Sequence, residues 1–206
     1  MITQQELDKF MTQFDMHESR ASFYPMFQSL IERDLKIQAF VMILSTWNIA
    51  YFSKSIRTFN LAVFEDTVNS LSKDFERVRS ETLSNISFLK YEKEIKNIYD
   101  ALSRLNGVKY TGASKIMHLS NPNLFVMWDQ YISKKLQYDH RKADDYYNFM
   151  IKMQSDFTHL KSSNGKTLAK CIDEYNYVNY TLPALEKARE NRKKRAEKRK
   201  KEKKKI

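Results

Sequence analysis

Two side chains near the middle of the sequence, Asp129 and Lys115, could act as catalytic groups. Asp129 follows the apolar run FVMW and precedes QYISKKL, so it is placed to cap a new helix by accepting hydrogen bonds from amides. Capping is the usual role of an aspartate at a helix start, but a rigidly held carboxylate can also stabilise positive charge on a substrate. Lys115 follows one helical turn after Thr111. It is either an exposed or phosphate-contacting lysine, or an amine that attacks a carbonyl carbon.

These residues depend on two predicted helices and the turn between them. The segment YEKEIKNIYDALSRL, 91–105, has apolar residues at helical spacing and ends at Asn106 and Gly107, a common helix stop. Thr111 is predicted to cap a second helix, TGASKIMHL, so that GVKYT forms a tight hairpin within 91–119. Amides at a helix start favour an anion, although such hairpins also exist purely for packing. The residues of this hairpin and helix start that could contact a phosphate-sized anion are Gly107, Val108, Lys109, Thr111, Gly112, Ser114 and Lys115.

The composition indicates an all-α protein. Only three Gly and three Pro occur among 206 residues, and an all-β fold needs many more turn residues. The single cysteine, Cys171, excludes an intramolecular disulfide. With only four scattered histidines beside it, a zinc site is not expected either. The N-terminus is polar and shows no signal peptide, and the longest apolar run, AFVMIL, is too short to cross a bilayer. We therefore expect a soluble cytoplasmic protein with no metal site and no membrane partner.

The positive charge is concentrated at the end of the chain. Thirteen basic and four acidic residues give the segment 184–206 a charge of +9, out of +11 for the whole chain, so residues 1–183 carry only +2. The sequence thus predicts a helical core, 1–183, and a Lys/Arg-rich tail that is helical or disordered. The tail is either a solubilising segment, an arm for nucleic-acid phosphates, or a contact for an acidic protein or membrane surface.

Further helices are predicted on both sides of the hairpin. Thr3 and Glu6 have the spacing of a capping box, and Pro25 suits the start of a second helix. The segment of about 36–55 is apolar nearly all round, which predicts one central buried helix. Two amphipathic helices, DDYYNFMIKMQSDFTHL and TLAKCIDEYNYVNYTLPALEKA, follow and are separated by the loop SSNG.

The run GVKYTGASKIMHLSNPNLFVMWDQYI, 107–132, resembles the helix-hairpin-helix DNA glycosylases of base-excision repair. It is most similar to the 8-oxoguanine-glycosylase-like branch, in which a K-I-L-H-F-L-x-P-x-x-F-P-I-W-D type run is common; here KIMHLSNPNLFVMWD, 115–129, matches it. The segment AFVMILSTWN, 39–48, resembles the helix that opens the core of that fold and lies against DNA. A weaker likeness extends from about 25 to 180. The motifs YTGASKIMHL and FVMWD also resemble uncharacterised archaeal proteins of similar length.

This resemblance implies specific roles. In the family, hairpin amides, here those of Gly107, Val108 and Lys109, hold the DNA backbone, often with a bound monovalent cation. The family's aspartate, here Asp129, stabilises the oxocarbenium-like sugar as the base leaves or activates a nucleophile. Bifunctional members have a lysine where this chain has Thr111, and most members have a second glycine where it has Lys109. The first departure favours a monofunctional enzyme, unless Lys115 supplies the amine. The second puts the cation site in question.

A flipped base would also need a pocket. Trp47, Asn48 and Trp128 are the candidates for its walls, although tryptophan and a buried asparagine more often belong to a core. Three functions remain open from the sequence. They are a DNA glycosylase acting on double-stranded DNA in the nucleoid, a non-enzymatic DNA-binding protein with the same fold, and an interaction protein whose hairpin only packs.

Overall fold

The computed structural model describes the backbone of residues 2–203 and the side chains of residues 2–197. All regular structure in this part of the chain is helical, which confirms the all-α prediction. None of these helices has the length and apolar character needed to cross a membrane. In chain order the α-helices are α1 Gln4–His17, α2 Tyr24–Glu32, α3 Lys36–Trp47, α4 Ile49–Ser55, α5 Leu61–Ser70, α6 Ser72–Arg77, α7 Phe88–Arg104, α8 Lys109–Ser120, α9 Gln130–Lys135, α10 Ala143–Phe157, α11 Leu168–Asn176 and α12 Leu182–Lys203; a 3₁₀ turn covers Ser19–Phe23 and a π-helical turn covers Tyr177–Thr181.

The first helix begins at the predicted capping box. The Thr3 hydroxyl accepts a hydrogen bond from the Glu6 amide at 3.3 Å, and the Glu6 carboxylate accepts one from the Thr3 amide at 2.8 Å. Helix α1 buries Leu7, Met11 and Phe14 on one face. This face packs against α11, so the N-terminal helix belongs to the core.

The prediction of a single helix over 36–55 is wrong. Helix α3 ends at Trp47, and Asn48 takes a non-helical conformation (φ −119°, ψ 20°) before α4 begins at Ile49. The Asn48 side chain is buried and donates a hydrogen bond from Nδ2 to the Val108 carbonyl at 3.0 Å. Because a buried amide needs a partner, this long-range bond holds the break between α3 and α4 against the turn that precedes α8.

Helices α7 and α8 form the centre of the fold. In the predicted apolar stripe Ile95, Ile98, Tyr99 and Leu102 are fully buried, and α7 packs against both α8 and α10. Helix α8 is buried along most of its length and also packs against α3. At Gly112, α8 and α3 approach so closely that a Cβ would lie 2.7 Å from Leu44 Cδ2 and 3.0 Å from Asn48 Nδ2. The small residue at this position is therefore explained by packing.

Gly112→Ala is expected to destabilise the fold by about 1–3 kcal/mol, the usual range for a methyl group added to a packed core. Leu44, whose Cδ2 lies nearest the new methyl group, is itself fully buried, so its side chain has to shift within the packed core. Urea denaturation followed by circular dichroism measures the loss. An unchanged free energy of unfolding would contradict the close approach of α3 and α8.

The last three helical segments are continuous in the chain. Pro183 lies in the first turn of α12, and a proline has no amide proton and collides with the carbonyl four residues earlier in a regular α-helix. That carbonyl belongs to Asn179, within the π-helical turn Tyr177–Thr181. A wider turn relieves such a collision, so the π-helical turn is the local consequence of the proline.

The predicted boundary between 183 and 184 lies inside α12. This helix runs to Lys203, and the side chains of residues 189–197 are exposed. Residues 204–206, the end of the predicted tail, lie outside the described residues. The described part of the tail is therefore a charged helix that extends the core helix α11.

Candidate functional site

Asp129 is the N-cap of α9, as predicted. Its Oδ1 accepts hydrogen bonds from the amides of Tyr131 at 2.7 Å and Ile132 at 3.0 Å. Its Oδ2 accepts a hydrogen bond from Thr181 Oγ1 at 2.8 Å. The half-buried carboxylate is thus fixed from two sides, by the start of α9 and by the π-helical turn.

Asp129 lies in the wall of a pocket of about 670 Å³, a volume typical of small-molecule sites. The pocket is formed by the α3–α4 break, the α7–α8 turn, the start of α9 and segments from both ends of the chain. Gly107, Gly112 and Ser114 do not line it. The predicted site residues that do line it are Trp47, Asn48, Val108, Lys109, Thr111, Lys115, Trp128 and Asp129.

Lys115 is partly exposed, and the part of its surface that remains open faces the pocket. Its side chain is half-buried and lines the pocket, and its amine donates a hydrogen bond to the Trp47 carbonyl. Burial lowers the pKa of Lys115 to about 8, against the opposing effect of the nearby Asp129 carboxylate. A substantial neutral fraction of this amine is therefore present near physiological pH.

Lys115→Met is expected to stabilise the protein at neutral pH, and this gain should fade as pH approaches 10.5. The pKa of Lys115 is about 8 in the folded protein against 10.5 for an ordinary lysine, so the folded state binds fewer protons between these values. The free energy of unfolding of the wild type therefore rises relative to that of the variant between pH 8 and 10.5. Below pH 8 the wild type is at its greatest disadvantage. Urea denaturation in a series of buffers measures the difference. A difference that stays constant with pH would contradict the lowered pKa.

The turn before α8 contains two residues in the left-handed region. Gly107 has a φ of 88° and Lys109 a φ of 53°, a conformation that strains a lysine. The amides of Val108 and Lys109 both donate to the Leu105 carbonyl, at 3.2 and 3.3 Å. Helix α8 therefore begins at Lys109, and the prediction that Thr111 caps it is wrong. The amides of Val108 and Lys109, which the sequence predicted would bind an anion, are thus already hydrogen-bonded within the turn.

Much of the predicted DNA-contact set lies inside the fold. Ser114 Oγ donates to the Trp128 carbonyl at 3.1 Å and accepts from the Trp128 amide at 3.2 Å, which ties α8 to the segment before Asp129. Ser114 is therefore a packing residue in this structure. The buried members of the set are Gly107, Val108, Gly112 and Ser114, whereas Lys109, Thr111 and Lys115 are partly exposed.

The turn does not fit a monovalent cation, which would need free carbonyl oxygens. The Leu105 carbonyl already accepts two amides, and the Val108 carbonyl accepts the Asn48 side chain. Lys109 adds a positive charge to the turn itself. The cation that the resemblance implied is thus disfavoured by the residues present.

The two tryptophans have different surroundings. Trp128 is only 1% exposed, and its Nε1 donates to Tyr99 Oη at 2.9 Å, so its indole has no open face for a ligand. Trp47 is half-buried and stacks on Tyr24, with ring centroids 5.8 Å apart and planes 5° from parallel. Trp47 is therefore the tryptophan with a partly exposed ring in the pocket wall. Asn48 also reaches the pocket, but its amide is committed to the hydrogen bond with Val108.

One wall of the pocket comes from residues that the sequence did not single out. The Glu18 carboxylate accepts hydrogen bonds from Arg20 Nε at 2.6 Å and Nη2 at 2.5 Å, and from Tyr177 Oη at 3.0 Å. Arg20 Nη1 donates to the Thr46 carbonyl at 2.9 Å. Burial opposes ionisation of Glu18, but these hydrogen bonds outweigh it and lower the pKa of the carboxyl. The closest sequence signal is the pair of hydroxyls, Tyr177 and Thr181, spaced four residues apart just before Pro183.

A buried charge supports the pocket from behind. The Lys170 amine lies 4.9 Å from the Trp47 ring centroid and 4.5 Å from that of Phe14. It donates to Asp173 Oδ2 at 2.7 Å and pairs with Glu174. The pairing satisfies Lys170, which is 1% exposed, so this lysine acts as structural support for Trp47 and Asp173 rather than as a ligand group.

Comparisons with known proteins add no relative: no protein-family model matches the chain, and no curated protein or solved structure is significantly similar to it. What the pocket can do therefore has to be judged from its own residues and from the motif likeness of 107–132.

Proposed function

We propose that the protein is a DNA-binding glycosylase of base-excision repair with a helix-hairpin-helix fold, which removes a damaged base by hydrolysing the N-glycosidic bond. The observation that carries this proposal is the shared pocket. Asp129 and Lys115 face one cavity of about 670 Å³, beside the turn between α7 and α8 and next to the half-buried ring of Trp47. A cavity of this size holds a nucleobase turned out of a duplex.

Asp129 would act on the sugar of the flipped nucleotide. Positive charge develops at C1′ as the base leaves with the bonding electrons, and a fixed carboxylate stabilises that charge more than it stabilises the neutral ground state. A water molecule then adds its oxygen to C1′ and loses a proton, which Asp129 can accept. Oδ2 accepts only the Thr181 hydroxyl among the described hydrogen bonds, so it retains a lone pair for this work.

Double-stranded DNA is the proposed partner, and two surfaces support it. Lys109 takes a positive φ of 53° at the position where the family usually has its second glycine, and glycine adopts this conformation readily, which supports the proposed hairpin. Helix α12 presents exposed cations beyond the pocket residue Leu185, and such groups bind phosphates without reading sequence. The described exposed cations of α12 are Lys187, Arg189, Arg192, Lys193, Lys194 and Arg195.

The position of Lys115 favours a second activity at the same site. An amine with a pKa of about 8 in a pocket wall is a nucleophile for an aldehyde, and the open form of an abasic sugar carries one at C1′. Loss of water would give an imine, and removal of a C2′ proton would then expel the 3′ phosphate. Lys115 would thus replace the lysine that bifunctional family members have at the position of Thr111.

A non-enzymatic DNA-binding protein is the alternative. The observation that favours it is the hydrogen bonding of Asp129, because capping α9 and accepting from Thr181 explain the residue without any reaction. In this case the pocket would hold an undamaged nucleotide or a chain end, and the α7–α8 turn and α12 would supply the affinity.

A cleavage assay on a panel of single-lesion duplexes, led by guanine oxidation products, tests the proposal. Strand cleavage that requires alkali indicates a monofunctional glycosylase. Cleavage without alkali, together with covalent trapping of the protein on DNA by borohydride, indicates the Lys115 activity. No cleavage of any duplex, combined with binding that falls steeply with salt, would replace the enzyme by the DNA-binding alternative.

A further inference from the structure

The π-helical turn Tyr177–Thr181 contributes a hydroxyl to each of two pocket carboxylates. Tyr177 Oη donates to Glu18 Oε2 at 3.0 Å, and Thr181 Oγ1 donates to Asp129 Oδ2 at 2.8 Å. Both bonds join residues that are far apart in sequence, since Glu18 precedes Tyr177 by 159 residues and Asp129 precedes Thr181 by 52. A widened turn is uncommon and often marks a functional site. Here it aims two polar side chains of one helix into the same pocket.

The bond from Thr181 is the side-chain hydrogen bond that holds Asp129 Oδ2. Rotation about the Cβ–Cγ bond moves both carboxylate oxygens, so the two amides on Oδ1 and the Thr181 hydroxyl on Oδ2 restrain this rotation together. Thr181 is 3% exposed, so its hydroxyl does not exchange this bond for bulk water. The χ1 angle of threonine is restricted to few rotamers because the residue is β-branched. In the rotamer observed, the hydroxyl donates to Asp129 Oδ2.

We propose that Thr181 is the positioning residue for Asp129, and that the π-helical turn before Pro183 exists to bring it there. This inference rests on the proposed function, because it assigns Thr181 a role in the same reaction. Thr181 touches neither the sugar nor the base; it keeps Asp129 Oδ2 directed at the sugar carbon. The proline makes the turn wider, and the wider turn places residue 181 on the pocket side of the helix.

Thr181→Val tests this role, since valine has the shape of threonine without the hydroxyl. Single-turnover base release is expected to fall by about 100-fold, the size of effect that misplacing a catalytic group by about 1 Å produces. Thr181→Ser keeps the hydroxyl and is expected to restore most of the rate. Duplex affinity at low salt should stay within about twofold of the wild type in both variants, because no DNA-facing group changes. Thr67→Val, which removes a hydroxyl bonded only to Val63 within α5, is the matched control.

A second readout does not depend on activity. Hydrogen exchange of the Tyr131 and Ile132 amides reports how firmly Asp129 is held, because both amides donate to its Oδ1. Exchange at these two amides is expected to accelerate in Thr181→Val and to remain slow in Thr181→Ser. Equal exchange and equal base release in Thr181→Val and the wild type would overturn the positioning role. If Asp129→Asn is also fully active, the proposed function fails as well, so the two failures are distinguishable.

Discussion

Asp129→Asn is expected to reduce base release from a lesion-containing duplex by about 100-fold to 1000-fold, the range seen when one preorganised electrostatic group is removed from an active site. The substitution removes the negative charge but keeps a carbonyl oxygen at the position of Oδ1. That oxygen can still accept from the amides of Tyr131 and Ile132, so the start of α9 remains capped. The loss should therefore fall on the reaction and not on folding or duplex affinity. Single-turnover assays measure the rate of base release, and binding titrations of the same preparation measure duplex affinity.

The matched control is Asp66→Asn, which makes the same chemical change at an exposed position of α5, distant from the pocket residues. It is expected to behave as wild type in every assay. Asp129→Asn with full activity would remove Asp129 from the mechanism. A variant that loses stability and duplex binding together would instead support a purely structural cap. A loss of base release alone is the outcome that only the enzymatic role produces.

The features that the sequence predicted correctly are local ones. The capping box of Thr3 and Glu6, the Asn106–Gly107 stop and the Asp129 cap each depend on residues within a few positions of one another. The chemistry of such short segments is nearly complete in the sequence itself. The same reasoning correctly identified α7, whose apolar residues recur at helical spacing.

The features that the sequence did not predict depend on distant partners. The break at Asn48 follows from a hydrogen bond to Val108, 60 residues away, and no local pattern in an apolar helix reveals it. Thr111 has the right residue type for a cap, but the Leu105 carbonyl captures the amides before it and starts the helix early. In both cases a backbone carbonyl, that of Val108 or that of Leu105, forms a hydrogen bond that overrides the local preference of the sequence.

The lining of the pocket also depends on contacts between residues that are distant in sequence. No local pattern around Lys115 reveals its partial burial, which arises when α3 ends against it at Trp47. Glu18 and Tyr177 are 159 residues apart in sequence, and their hydrogen bond forms only when the two ends of the chain pack together. The sequence could therefore suggest Asp129 as a candidate, but it could not show which side chains would surround it.

Trp128→Ala is expected to lower the free energy of unfolding by about 3–5 kcal/mol, the range for removing a large aromatic side chain from a core. Trp128 is 1% exposed, and its ring lies 5.0 Å from that of Phe149 and 5.2 Å from that of Tyr146. Removing it also leaves the Tyr99 hydroxyl without its indole donor. Because a domain is typically stable by only about 5–15 kcal/mol, the variant should unfold at much lower urea concentration.

Trp47→Ala provides the comparison, because it removes the same side chain from a half-buried position at the pocket. Its loss of stability is expected to be smaller, and it should instead weaken the recognition of a flipped base. Two equal losses of stability would contradict the different burial of the two rings. A cost below about 1 kcal/mol for Trp128→Ala, well below the range for core aromatics, would contradict the burial of this ring. The expected contrast makes Trp128 the anchor that holds Asp129 in place and Trp47 the surface that meets the ligand.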